Sequence, residues 1–204
     1  MKKYQLKDKK NIAYLKKLIA KQKKEDTINT LVDSTIFFDK LDNVLVLNLF
    51  KINKNNLINY ILELSKISTT NDICYENKVS CCEFLAFENT PKNTIYINFI
   101  GTSHEKYLGK GYNYITLRAL EQFAIEHKID NLYGLFLPLP PGNFIQAVDF
   151  YSRNKFSFYT DKYGEDRIIK EAKDFRELKT SKISGLKFAE NLFDEETETD
   201  NLEK

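Results

Sequence analysis

Residues 94–137 constrain the fold of this 204-residue chain more than any other stretch. Residues 94–100 (TIYINFI) form a β-branched and aromatic run. Residues 109–127 carry Ile115, Leu117, Leu120, Phe123 and Ala124 at helical spacing, and residues 131–137 (NLYGLFL) form a second extended run. A strand, a helix and a strand in this order close as a right-handed crossover, so the two strands are expected to be parallel neighbours with the helix on one face.

The flanking sequence supplies further elements. Residues 35–38 and 43–52 (NVLVLNLFKI) read as a hairpin, and residues 79–87 (VSCCEFLAF) as a strand joined to the 94–100 run through a turn with Pro91. Leu57, Ile58, Ile61, Leu62 and Leu64 are spaced for a helix with a buried stripe over residues 55–68. After residue 137, Pro138, Pro140, Pro141 and Gly142 stop the strand and force an irregular loop. A helix over 143–154 and a strand or hairpin over 156–169 are expected beyond it. With 42% apolar residues, one substantial core with charged ends is the natural organisation. Residues 1–30 are expected as a basic amphipathic helix, 31–170 as the folded domain, and 171–204 as a charged extension ending in an acidic, disordered tail.

The formal charge of +2 excludes a wholly basic nucleic-acid-binding surface, but its distribution is uneven. Lysines crowd residues 2–24, alongside Ile12, Leu15, Leu18 and Ile19, while Glu190, Asp194, Glu195, Glu196 and Asp200 load the other end. The basic end makes an acidic or RNA-associated partner a candidate; the bland reading is a solvated helix face. Cys74, Cys81 and Cys82 are odd in number, and the adjacent pair has neither zinc-clip spacing nor a nearby His, so reduced thiols and no metal are expected. No apolar run has the length of a signal peptide or a membrane span, so a cytoplasmic location is expected.

Chemistry is concentrated in HEKYLGKGYNYITLRAL, residues 104–120. Gly109 and Gly111 let another group approach the backbone, and the amides that open the following helix meet its positive dipole end, which suits an anion. Alone, a G-x-G before a helix is more often a tight turn than a phosphate cradle.

Two motifs in order add meaning to it. The first is Lys106-Tyr-Leu-Gly109-Lys-Gly111; the second is Ala147-Val-Asp-Phe150-Tyr151, followed by Phe156. Together they resemble the acyl-CoA-binding and thiolate-side motifs of the GNAT superfamily of N-acyltransferases. The resemblance covers residues 79–158 well and the preceding hairpin loosely. It departs from the family where Lys106 replaces Arg or Gln, where Lys155 stands in place of a Gly, and where Asn143 lies four residues before Ala147 rather than three.

What the resemblance implies is an α/β (α+β) fold with a central mixed, mostly antiparallel sheet, a splayed parallel strand pair and flanking helices. It implies acetyl-CoA as co-substrate, with the diphosphate held by Tyr107, Leu108, Gly109, Lys110 and Gly111 beside Lys106. The pantetheine arm would lie along Phe99, Ile100 and Gly101, with Asn143 also in the cofactor set. Tyr151 would protonate the leaving thiolate, and an amine would attack the thioester directly, without an acyl-enzyme. For the base that frees the amine, mid-strand Glu83 leads, with Glu88 and His104 behind it. The implied function is an N-acetyltransferase acting on a primary amine of a small molecule, peptide or protein; the alternative is a non-catalytic member of the fold that senses acyl-CoA or binds a protein or RNA partner. Oligomeric state is not legible.

Overall fold

The computed structural model describes residues 29–38, 44–54, 57–70, 73–87, 93–136, 144–178 and 187–188, together with Ala13 and Lys17. The expected N-terminal helix, the proline-rich loop with Asn143, Glu88 and the acidic tail lie outside the described residues.

A single mixed sheet organises the chain. Its strands are β1 (Asn29–Phe38), β2 (Val44–Lys54), β3 (Leu57–Thr70), β4 (Ile73–Phe87), β5 (Thr94–Thr102), β6 (Asn131–Leu135), β7 (Ser157–Thr160), β8 (Asp166–Glu171) and the two-residue β9 (Lys187–Phe188). Their order across the sheet is β7-β8-β6-β5-β4-β3-β2-β1-β9. Among the described residues, only β5 and β6 pair in parallel; every other neighbouring pair is antiparallel. Helix α1 (Tyr112–Glu126) makes the crossover between β5 and β6, and α2 (Phe144–Arg153) follows β6. The expected strand, helix and strand are therefore all present. No described helix is long and apolar enough to cross a membrane.

One expectation fails. Residues 57–70 form β3, not a helix, and pair along their length with β2 and β4. The reason is burial on both sides of the strand. Leu62 and Leu64 are buried toward α1 in the main core, while the alternate residues Ser65 and Ile67 are buried as well. A strand covered on both faces loses the alternation that would identify it, and its apolar residues then mimic a helical stripe. Neighbouring β2 shows the same pattern, with Val44, Leu45, Val46, Leu47 and Asn48 all buried.

The core beneath α1 is aromatic. Phe84 of β4 lies 5.4 Å from the Tyr60 ring and 5.2 Å from that of Phe123, the latter edge-on. Ile115, Leu117, Leu120 and Ala124 complete the helix face. Burying each large apolar side chain contributes about 1.5–3 kcal/mol, enough to fix α1 against β3, β4 and β5.

Two irregularities in β5 set up the site. Opposite β4 the register jumps from Glu83↔Phe99 to Phe84↔Ile97, leaving Asn98 as the extra residue of a β-bulge. Opposite β6 the ladder runs from Thr94↔Asn131 to Ile97↔Gly134 and then ends, although β5 continues to Thr102. The strands are tightest just before they part. A Cβ at Gly134 would stand 2.6 Å from the Ile97 carbonyl oxygen, so only glycine allows this approach. Beyond Ile97, β5 keeps β4 on one side, as far as Ser80↔Thr102, and has no strand on the other among the described residues.

Candidate acyl-CoA site

The opening where β5 leaves β6 leads into a cleft of about 1000 Å³. It is bounded by the end of β5, the loop before α1, the first turn of α1 and one face of α2. Phe99, Ile100 and Gly101 line it. The Phe99 ring folds over Gly101, its tip 2.6 Å from where a Cβ would sit, so Gly101 leaves the space that the ring occupies.

The loop is built by its own hydrogen bonds. A 3-10 turn over Glu105–Tyr107 is capped by His104, whose Nδ1 accepts from the Lys106 amide at 3.2 Å. The Tyr107 amide donates to His104 O at 3.0 Å, that of Leu108 to Glu105 O at 2.9 Å, and that of Lys110 to Tyr107 O at 3.4 Å. Among the five residues expected to present amides, only Gly109 and Gly111 keep theirs outside the turn's own bonding. Tyr107 and Leu108 still line the cleft, while the Lys106 and Lys110 ammonium groups stand 4.9 and 5.9 Å from the Tyr107 ring centre.

Both glycines have positive φ, 69° at Gly109 and 81° at Gly111, a backbone that other residues adopt only under strain. Gly111 is the N-cap of α1 and offers no side chain to cover the first turn, so the positive end of the helix faces the cleft. The start of α1 is pinned to β4. Ser80 Oγ donates to Asn113 Oδ1 at 2.8 Å and lies 2.9 Å from Thr116 Oγ1.

Across the cleft, Tyr151 of α2 is held by three edge-on rings, Phe136 at 5.9 Å, Phe150 at 5.2 Å and Phe156 at 5.2 Å. Its hydroxyl has no hydrogen-bond partner among the described residues. Burial, with a smaller contribution from Cys82, pushes the phenol well above the ordinary tyrosine range, so it stays protonated at neutral pH. Cys82 itself is fully buried, and desolvation first, then Cys81 and Glu83, raise its thiol well above its usual range. Such a thiol is a poor nucleophile.

Glu83 does not line the cleft. It alternates with Cys82 and Phe84, which face α1, so its carboxylate lies on the other side of the sheet, 3.4 Å from Asn98 Nδ2. It nonetheless stands in register with Phe99, where β5 has lost its neighbour. His104 lines the cleft directly. Thr102, Ser103, Asn113 and Asn154 also line it; no motif signalled them, because their presence follows from how the loop and α2 turn.

At Lys155 the backbone has φ 61°, the left-handed conformation that the glycine common at this place in the resembled motif would adopt freely. The departure is thus in side chain and not in chain path. Lys155 Nζ pairs with Asp174 at 2.9 Å, which offsets part of a strain of about 1–2 kcal/mol. Lys155→Gly is expected to raise the thermal midpoint by about 2–4 °C; a lower midpoint would show that the ion pair outweighs the strain.

One parallel pair that parts above a close glycine contact, a bulged central strand, a crossover helix opening on two glycines and a second helix across the gap make up the expected architecture. The sheet is GNAT-like in arrangement: mixed, mostly antiparallel, with one splayed parallel pair and flanking helices.

Solved structures similar to the chain include an acetyltransferase of the GNAT family from Staphylococcus aureus Mu50, at 16% identity over 56% of this chain and 68% of that one, TM-score 0.41. Another is the putative acyl-CoA N-acyltransferase from Klebsiella pneumoniae, at 14% identity over 82% and 92%, TM-score 0.42. A third is the ribosomal-protein-S18-alanine N-acetyltransferase from Escherichia coli, at 14% identity over 57% and 68%, TM-score 0.35. No protein-family model and no curated protein matches the sequence.

Proposed function

We propose that the chain is an N-acetyltransferase that moves an acetyl group from acetyl-CoA to a primary amine. The observation that carries this reading is the parting of β5 from β6 beside a helix that opens on the Gly109 and Gly111 amides. The diphosphate lies at the start of α1, with Lys106 and Lys110 as nearby cations. The pantetheine arm pairs with the open edge of β5 near Phe99, Ile100 and Gly101 like an added strand.

The reaction then needs little from side chains. The neutral amine attacks the thioester carbonyl carbon, forming the C–N bond, and the C–S bond breaks as the tetrahedral intermediate collapses. The departing sulfur takes a proton from the Tyr151 phenol, which solvent restores. The amine loses its proton to Glu83, standing across the sheet from the cofactor where β5 is uncovered, so amine and thioester meet through the gap between strands. Asn143 remains an expectation of the resemblance, and a partner for the basic N-terminal segment an expectation of the charge pattern.

Acetyl-CoA at 100 times its dissociation constant should stabilise the folded chain by about 2.7 kcal/mol, a rise in midpoint of about 5–10 °C. Thiol release on adding primary amines should then report transfer. Absence of any shift with acetyl-CoA would remove the cofactor site, whereas a shift without thiol release from any amine would leave binding without catalysis.

A further inference from the structure

Behind the cleft, a buried polar cluster joins its two helical walls. Arg118 of α1 has no exposed surface, yet it carries a full charge. Its Nη1 donates to Glu121, its Nη2 donates to Asn154 Oδ1, and its guanidinium carbon lies 4.4 Å from the Tyr114 ring centre. Its Nε is buried without a partner. Glu121, also fully buried, accepts from Lys170 Nζ at 2.5 Å and from the Arg176 amide at 2.8 Å. Burying three charges is costly, and well-packed apolar side chains would hold a core as well. What such a cluster adds over apolar packing is direction, because each hydrogen bond fixes an angle as well as a distance.

That direction points at α2. The helix has no fully buried residue of its own; Ala147, Val148, Phe150 and Tyr151 pack partly buried against the core, through apolar contacts that fix no angle. Asn154, immediately beyond its last turn, is only 3% exposed and lines the cleft. Its Oδ1 is taken by Arg118, while its Nδ2 donates to the Phe150 carbonyl at 2.7 Å. Its backbone amide lies 3.1 Å from the Tyr151 carbonyl. One side chain thus ties the turn carrying Phe150 and Tyr151 to the helix that opens on the glycine loop.

We propose that Arg118 and Asn154 are positioning residues that hold the Tyr151 hydroxyl at a fixed place in the cleft by registering α2 against α1. The inference rests on the acetyl-transfer reading and adds two residues that no part of it uses.

The test is a double-mutant cycle on thiol release with a primary amine, alongside acetyl-CoA binding by calorimetry. Asn154→Ala leaves Arg118 paired with Glu121, and Arg118→Met leaves Glu121 paired with Lys170, so neither strands a carboxylate. Each should lower kcat about 10–30-fold while changing acetyl-CoA affinity less than about twofold. In a Tyr151→Phe background the further loss should be under about twofold, because the group they position is gone. If the losses multiply, the two residues act elsewhere and the inference is overturned. An equal fall in affinity and turnover would likewise reduce them to a structural role. If Arg118→Met does not fold, Asn154→Ala carries the cycle alone. Should the unsubstituted chain neither bind acetyl-CoA nor release thiol, the acetyl-transfer reading falls and the inference with it; multiplied losses in a chain that does both remove the inference alone.

Discussion

Tyr151→Phe is expected to lower turnover about 100-fold while leaving acetyl-CoA affinity within about twofold. The ring contacts with Phe136, Phe150 and Phe156 survive the substitution, since each is made by the aromatic edge or face and not by the hydroxyl. What disappears is a donor with no other partner among the described residues, so nothing is left unsatisfied and the fold should be unaffected. Burial raises the phenol's pKa, which means the proton needed by the leaving sulfur is present at neutral pH and stays on through the ordinary tyrosine range. The unsubstituted rate should therefore show no fall from loss of this proton up to about pH 10. Steady-state thiol release across pH, with affinity measured separately, checks both statements. Unchanged turnover would take Tyr151 out of the mechanism.

Gly109→Val should cost acetyl-CoA binding about 100-fold or more, and the origin of the loss is the backbone rather than crowding. A Cβ at Gly109 meets nothing within 4 Å, but φ of 69° is a genuine outlier for a β-branched residue. Relief of that strain, about 1–2 kcal/mol, would turn the peptide and withdraw an amide whose charge-assisted bond contributes about 1.5–3 kcal/mol. Calorimetric titration is the direct measurement, and the thermal midpoint of the free protein should fall by only a few degrees. Affinity equal to that of the unsubstituted chain would mean the diphosphate lies elsewhere.

How much of this was readable in the residues depends on where the information lies. The crossover of β5, α1 and β6 was legible because its elements differ in period and follow one another directly. The hairpin of β1 and β2 was legible because a short polar stretch separates two apolar runs. β3 was not, since Leu62 and Leu64 on one face and Ser65 and Ile67 on the other leave no alternation to detect. At the site, the two glycines announced the loop, but the identity of the open amides depends on a 3-10 turn that spends the others on itself. Arg118 and Glu121 carried no usable signal. Spaced three apart on a helix, they resemble an exposed ion pair, and only burial of every position from Ile115 to Glu121 reveals otherwise. Asn143 and Glu88 fall outside the described residues.

The contact between Gly134 and the Ile97 carbonyl also has a geometric corollary. Two ribbons pressed this closely give any wedge driven between them a fixed depth. On the acetyl-transfer reading, a flexible thiol-bearing arm entering from the far end would halt where the backbones touch, and the close approach that position 134 allows would act as a doorstop setting the reactive carbon at one height above the sheet.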